Sequence, residues 1–241
     1  MSDADIEFFF DPVCPFAWIT SRWIVKVQEQ TNYEVDWRFI SLRILNKDKD
    51  YATDFPPEYD HGHTAGLRML RVCAAVRDEL GNEPMGPLYA ELSSTAFDTE
   101  PNEEYRLTLG TVSMIEGALE AVGLPTHFAA AADDEKWDAI VEEETELALS
   151  RVGRDVGTPI ITFRPPDGLS FFGPVISRIP DDEDAVSLWN AVTTLAAYPG
   201  FAEMKRSLRE TPQLRVFGEL SENPQFEDWQ GGARAAHLPD A

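Results

Sequence analysis

Cys14 is the residue whose type and position in this sequence best suit covalent chemistry. It follows a short apolar run at 6–10, which predicts a buried strand, and precedes Pro15, which suits the first turn of a helix. Backbone N–H groups without partners and the positive end of a helix dipole meet at such a junction. Cysteines placed there have lowered pKa values, and their thiolates attack disulfides and electrophiles. The position fits a small buried thiol with no chemical role equally well.

Other residues that could take part in catalysis or metal binding are better interpreted as structural or solvent-exposed residues. Cys73 lies on the apolar face of a predicted helix at 66–80, which favours a core position. His61 and His63 could bind a metal, but no cysteine or carboxylate cluster accompanies them, so we interpret them as part of a solvated loop and expect no metal. The acidic run at 142–144 indicates the solvated face of a helix.

The charge of the chain disfavours several classes of partner. Its 241 residues include 43 acidic and 20 basic side chains, which gives a net charge of −23. Such a surface repels phosphate backbones and anionic lipids, so we expect no nucleic-acid or membrane partner. No apolar run is long enough for a membrane span, and the acidic N-terminus does not resemble a signal peptide. We therefore expect a cytoplasmic protein.

The pattern of apolar residues predicts an α/β fold. A strand, a helix and a second strand, at 33–40, open the chain, and a hairpin is predicted at 159–172. Between these parts the sequence predicts an all-helical segment that is too long to be a loop. The predicted helices after the first one span 66–80, 85–97, 107–122, 133–150, 185–198 and 201–208.

Several spaced motifs point to a known family. They occupy residues 9–16, 18–24, 41–46, 157–159, 171–175 and 197–199, and they occur in the family's order between about residues 6 and 209. In these motifs the chain resembles the thioredoxin-like superfamily, its DsbA (disulfide-oxidoreductase A) branch and, more closely, the mycothiol-dependent nitroreductases of actinobacteria. The resemblance implies a thioredoxin-like fold with a large all-helical insertion.

The resemblance also implies domain boundaries. We expect residues 1–45 and 155–210 to form the thioredoxin-like domain and residues 46–154 to form the helical insertion. The segment 211–241 loses periodicity and gains polar, proline and glycine residues, so we expect a loosely ordered tail.

The implied site centres on Cys14 as the nucleophile. Its implied cofactor is a low-molecular-weight thiol, mycothiol, and its partner is a small-molecule thiol or an electrophilic substrate. In thioredoxin-like folds a cis-proline faces the active-site cysteine, and here that residue is Pro159. The residues expected to bind the substrate or thiol are Pro15, Phe16, Asn46, Tyr59, Thr158 and Pro159.

The active-site motif departs from the family pattern Cys-Pro-Trp-Cys at two positions. Phe16 replaces the tryptophan, and Ala17 replaces the second cysteine. Without a neighbouring thiol, a mixed disulfide on Cys14 must be released by a second small thiol, which is monothiol chemistry. Whether Cys73 could act instead does not follow from the sequence.

Two alternatives to a monothiol oxidoreductase stay open at this point. One is an enzyme similar to the kappa-class glutathione transferases or to an isomerase of the same fold, which activates a bound thiol and needs no second cysteine. The other is a non-catalytic binding protein on a degenerate thioredoxin scaffold. The pKa of Cys14 separates them, because catalysis calls for a value clearly below that of a free cysteine.

Overall fold

The central sheet contains four strands in the order β2-β1-β3-β4. β1 is parallel to β2 and antiparallel to β3, and β3 is antiparallel to β4. The strands are β1 (Ile6–Phe10), β2 (Val35–Phe39), β3 (Ile160–Phe163) and β4 (Ser170–Phe172). This computed structural model describes residues 4–101, 107–218, 225–230 and 233–234.

Helices connect and cover these strands. In chain order they are α1 (Pro15–Gln30), α2 (Leu42–Leu45), α3 (Glu58–Leu80), α4 (Met85–Phe97), α5 (Val112–Ala121), α6 (Asp138–Val152) and α7 (Asp182–Ala196). Short 3₁₀ helices span Thr126–Asp133, Glu135–Trp137 and Arg215–Phe217. Three further strands, β5 (Leu208–Glu210), β6 (Phe226–Gln230) and β7 (Ala233–Arg234), pair with one another in that order.

The buried strand β1 packs on both of its faces. Phe10 stacks on Tyr89 of α4 with ring centroids 4.0 Å apart, and Phe8 meets Trp37 of β2 edge to face at 5.2 Å. Phe9 points to the opposite face, where it belongs to a second apolar cluster with Leu149 of α6. Because both faces are covered, β1 is apolar at nearly every position instead of alternating.

The predicted α/β class and thioredoxin-like topology are confirmed. The strand–helix–strand unit is β1-α1-β2, the hairpin is β3-β4, and α7 follows the hairpin. Helices α3 to α6 lie between β2 and β3 in the chain, where the sequence predicts the helical segment. None of the described helices is long and apolar enough to cross a membrane.

Three predicted elements differ from the structure. The helix predicted at 201–208 is absent, because residues 208–210 form their backbone hydrogen bonds with β6 as a strand. The helix predicted at 107–122 is interrupted: residues 107–108 are helical, residues 109–110 form a turn, and α5 begins at Val112, where the Thr111 side chain caps it. The solvated loop predicted around His61 and His63 is wrong, because α3 already begins at Glu58.

Glu144 of α6 is buried, which corrects the interpretation of 142–144 as a wholly solvated face. Its Oε2 accepts the Phe39 N–H of β2 at 2.7 Å. Its Oε1 lies 3.0 Å from Arg38 Nη2 and 2.9 Å from Arg77 Nη1 of α3. One carboxylate therefore ties a strand and two helices together. The sequence pattern missed it because the other two members of the acidic run, Glu142 and Glu143, are exposed.

We expect Glu144→Ala to lower the free energy of unfolding by about 3–5 kcal/mol, because it leaves Arg77 and the Phe39 N–H without their acceptor and leaves Arg38 only its longer ion pairs with Glu7 and Asp36. Chemical denaturation measures this loss. Glu142→Ala is the matched control, since that residue pairs with Lys47 on the surface at 2.8 Å. Equal small losses in both variants would contradict a structural role for Glu144.

Candidate active site

Cys14 is the N-cap residue of α1, as the sequence predicts. Its Sγ accepts a hydrogen bond from the Ala17 N–H at 3.4 Å, so the thiol takes the place of a serine or aspartate cap. The Cys14 N–H donates to the Asp11 carbonyl at 3.0 Å, which closes the turn after β1. Pro15 occupies the first helical position, where a missing N–H costs no hydrogen bond.

Thr158 and Pro159 form the wall opposite the thiol. The Cys14 Sγ donates to the Thr158 carbonyl at 3.3 Å, although 144 positions separate the two residues in the chain. The Thr158 hydroxyl donates to the Phe9 carbonyl at 3.1 Å, which fixes this residue to β1. The Thr158–Pro159 peptide bond is cis, as the resemblance implies.

The Cys14 thiol is only 6% exposed, and this changes its expected ionisation. Burial raises its pKa to about 12, because a thiolate loses its hydration there. Hydrogen bonds from the Ala17 and Phe16 N–H groups lower the pKa, as does the positive charge of Arg209, but they do not offset burial. The lowered pKa expected from the helix N-terminus is therefore not observed in this covered state.

Asp11 is a second buried ionisable group at this junction, and the sequence reasoning overlooked it. Its Oδ1 accepts the Val13 N–H at 3.1 Å and its Oδ2 accepts the Leu42 N–H at 2.7 Å. Burial raises its pKa to about 7, and its charge in turn raises the pKa of Cys14. A Cβ at Gly66 of α3 would lie 2.4 Å from Asp11 Oδ1, so this close approach requires glycine. In the sequence, the position of Asp11 directly after the apolar run at 6–10 was the signal that could have identified it.

Phe16 and Arg209 cover the thiol from a further side. Phe16 is 3% exposed, and the Arg209 guanidinium carbon lies 5.9 Å from its ring centroid. Arg209 belongs to β5, between the helix predicted at 201–208 and the loosely ordered tail predicted from 211. Nothing in the local pattern connects it with Cys14, so this neighbour could only be found in the folded structure.

Asn46 and Tyr59 are held by contacts within their own part of the chain. Asn46 is the C-cap residue of α2, and its Nδ2 donates to the Leu42 carbonyl at 2.8 Å. The Tyr59 ring stacks on Phe55 with centroids 5.6 Å apart. Since the Leu42 N–H binds Asp11, the short helix α2 connects Asn46 to the turn that holds Cys14.

His63 is buried beside these aromatic residues instead of lying in solvent. A hydrogen bond of 2.9 Å joins its Nδ1 to the Tyr51 hydroxyl, and it is 8% exposed. Burial, together with the positive charge of Arg43, lowers the pKa of His63 to about 4. His63 is therefore neutral at pH 7, which suits a hydrogen-bonding role. Among the described residues, no group of three potential metal-binding side chains occurs.

Cys73 lies in the core, as the sequence predicts. It is fully buried in α3, and burial raises its pKa to about 12. Both cysteines are free. At position 17, where a second active-site sulfur would lie, the structure has a completely buried alanine. The arrangement thus offers one thiol at a helix N-terminus facing a cis-proline, without a resolving thiol one turn along the helix.

One family model and several known proteins are similar to this chain. Residues 13–206 match the family model Rv2466c-like, described as mycothiol-dependent nitroreductase Rv2466c. The uncharacterized protein Rv2286c of Mycobacterium tuberculosis is 27% identical over 227 residues, which cover 93% of this chain and 91% of that protein.

Two solved structures are also similar to the chain. The cytosolic disulfide reductase DsbM from Pseudomonas aeruginosa is 16% identical, with a TM-score of 0.49 over 79% of this chain and 99% of that one. The disulfide oxidoreductase DsbA from Proteus mirabilis is 15% identical, with a TM-score of 0.43 over 82% of this chain and 91% of that one. Because the family model spans most of the chain, including the Cys14 turn and the Thr158–Pro159 wall, this protein belongs to the Rv2466c-like family of mycothiol-dependent nitroreductases.

Proposed function

We propose that this protein is a cytoplasmic thiol-dependent oxidoreductase that acts through Cys14 alone. In this proposal Cys14 forms a mixed disulfide with a low-molecular-weight thiol, for which the family name suggests mycothiol. The observation that carries the proposal is the position of the Cys14 sulfur, which contacts both the Ala17 N–H and the Thr158 carbonyl beside cis-Pro159. Pro15, Phe16, Asn46 and Tyr59 are proposed to border the bound thiol.

The geometry supports a two-step exchange. The Cys14 thiolate attacks the R-group sulfur of a mixed disulfide R′S–SR, in which RS is the small thiol and R′S the reduced product, so that a Cys14–SR bond forms and R′S⁻ leaves. A second RS⁻ then attacks the sulfur of the bound R group and releases Cys14 as a thiolate. When Cys14 loses its proton, the Ala17 N–H still donates to the sulfur, whereas the Thr158 carbonyl loses its donor. The helix therefore stabilises the reactive form.

The absence of sulfur at position 17 makes the release step intermolecular. A Cys-x-x-Cys protein resolves its own mixed disulfide, but Ala17 offers only a methyl group. Cys73 is a poor substitute because it is fully buried within α3. The protein is therefore proposed to stop at the mixed disulfide until a second thiol arrives.

One observation favours a second candidate, a binding protein that performs no thiol chemistry. With its pKa near 12, the covered Cys14 is protonated at neutral pH and is a weak nucleophile in this state. Oxidoreductase activity therefore requires the thiol to be uncovered before it reacts, whereas a binding protein requires no such step.

Thiol labelling separates the two candidates. If Cys14 is uncovered as the oxidoreductase requires, we expect Cys14→Ser to lose at least about nine-tenths of the labelling by methyl methanethiosulfonate at pH 7, because the uncovered sulfur lies at a helix N-terminus that stabilises its thiolate. Cys73→Ser is the control and should label at the wild-type rate, since its sulfur lies in the core. Labelling that persists in Cys14→Ser would contradict the assignment, and an inert wild type would favour the binding protein.

The monothiol mechanism has its own test at position 17. After oxidation with the disulfide of a small thiol, the wild type should carry one adduct on Cys14, whereas Ala17→Cys should form an internal disulfide and carry none. Ala17→Ser, which adds an oxygen in place of the sulfur, should keep the adduct. Peptide mapping by mass spectrometry measures all three. A Cys14–Cys73 bridge in the wild type would show that the mechanism is wrong.

A further inference from the structure

A segment that follows the family-matched region places an arginine over Phe16 of α1. The family model ends at residue 206, and residues 208–217, which we call the strap, include β5 and the last 3₁₀ helix. The strap follows α7 in the chain and contains Arg209. Its contacts with two distant parts of the protein hold it in place.

The first part of the strap is anchored to the segment after β4. The Glu210 carboxylate accepts from Arg178 Nε at 3.0 Å and from the Ser177 hydroxyl. The Gln213 N–H donates to the Ser177 carbonyl at 2.8 Å. The pKa of Glu210 is lowered, chiefly by its hydrogen bond with Arg178, so the carboxylate is ionised at neutral pH.

The second part of the strap is anchored at the end of α4. Arg215 Nη2 lies 2.6 Å from Glu100 Oε1, and the Phe217 ring lies 6.4 Å from Phe97. Leu214 is 5% exposed and belongs to the main core. Both anchors follow Arg209 in the chain, and the pairing of β5 with β6 restrains the backbone at Arg209 itself.

The Arg209 guanidinium lies beside the residues that flank the thiol, and its charge acts on the Cys14 sulfur. Its guanidinium lies over Phe16, two residues after Cys14, and its Nη1 is shielded from solvent. Its Nε donates to the Arg206 carbonyl at 3.4 Å. The charge of Arg209 lowers the pKa of Cys14, and the charge of Cys14 opposes the lowering of the Arg209 pKa by burial.

Two other titratable groups interact with the thiol. Asp11 approaches from the β1 turn and disfavours the thiolate, increasingly so as it ionises around its pKa of about 7. Tyr89 approaches from α4, and the Cys14 charge contributes to raising its pKa, so this phenol stays neutral. Arg209 is the cation that opposes Asp11 at this sulfur.

We propose that Arg209 is a positioning residue that stabilises the Cys14 thiolate and attracts the incoming thiolate of the second small thiol. This inference rests on the proposed function. In the release step, RS⁻ attacks the R-group sulfur of Cys14–S–SR, the S–S bond breaks, and its electron pair goes to Cys14 while RSSR departs. No proton moves. Negative charge accumulates on Cys14 in this step, and the positive charge of Arg209 stabilises it. Release inside the molecule is not available, because Ala17 carries no thiol.

Alkylation of Cys14 by a neutral and an anionic reagent tests this role. In a Cys73→Ser background at low ionic strength, the rates with iodoacetamide and iodoacetate are measured from pH 7 to 9. Arg209→Met should lower the iodoacetamide rate several-fold, because loss of the positive charge raises the pKa of Cys14 and leaves less thiolate at each pH. It should also lower the iodoacetate-to-iodoacetamide ratio several-fold, because the anionic reagent loses its attraction.

Matched variants separate charge from covering. Arg206→Met removes an exposed arginine three residues earlier and should change the iodoacetate-to-iodoacetamide ratio by less than about twofold. Arg209→Lys keeps the positive charge and should retain most of the wild-type ratio. The ratio decides, because opening the strap changes access to both reagents alike. If Arg209→Met leaves the iodoacetate-to-iodoacetamide ratio unchanged, the inference is overturned, whatever the two absolute rates are. A wild type that resists both reagents overturns the proposed function and this inference with it.

Discussion

The hydrogen bonds of the Cys14 sulfur hold the two halves of the site together. The Ala17 N–H comes from the helix that follows β1, and the Thr158 carbonyl comes from the turn that precedes β3. These elements are distant in the chain but adjacent in the sheet, because β1 pairs with β3. Any shift of β3 against β1 would move the Thr158 carbonyl away from the thiol, so the strand register is part of the active-site geometry.

The charge around this sulfur is balanced between two groups that differ in origin. Asp11 is built into the turn after β1, where its two backbone hydrogen bonds and the close approach of Gly66 fix it. Arg209 comes from the strap, beyond the family-matched residues. The site therefore combines a family fold with a separate C-terminal segment. Burial keeps the resting thiol protonated, although the charge of Arg209 favours the thiolate.

The sequence predicts the parts of this fold that depend on local patterns. The run at 6–10 reads as a buried strand because it is covered on both faces, and Cys14 reads as a helix start because Pro15 follows it. The roles of Glu144 and Arg209 could not be predicted from the sequence, because segments that are distant in the chain create their surroundings. The sequence shows the helix N-terminus at Cys14, which favours a lowered pKa. It does not show the burial of the thiol in the folded protein, which raises the pKa.

The state of Cys14 inside its own cell tests the account most directly. The protein is purified from its host after a brief oxidant challenge, with free thiols blocked during lysis, and the peptide containing Cys14 is analysed by mass spectrometry. The account predicts a low-molecular-weight thiol bound to Cys14 and an unmodified Cys73. A peptide with free Cys14 after the challenge, or one joined to Cys73, would contradict it.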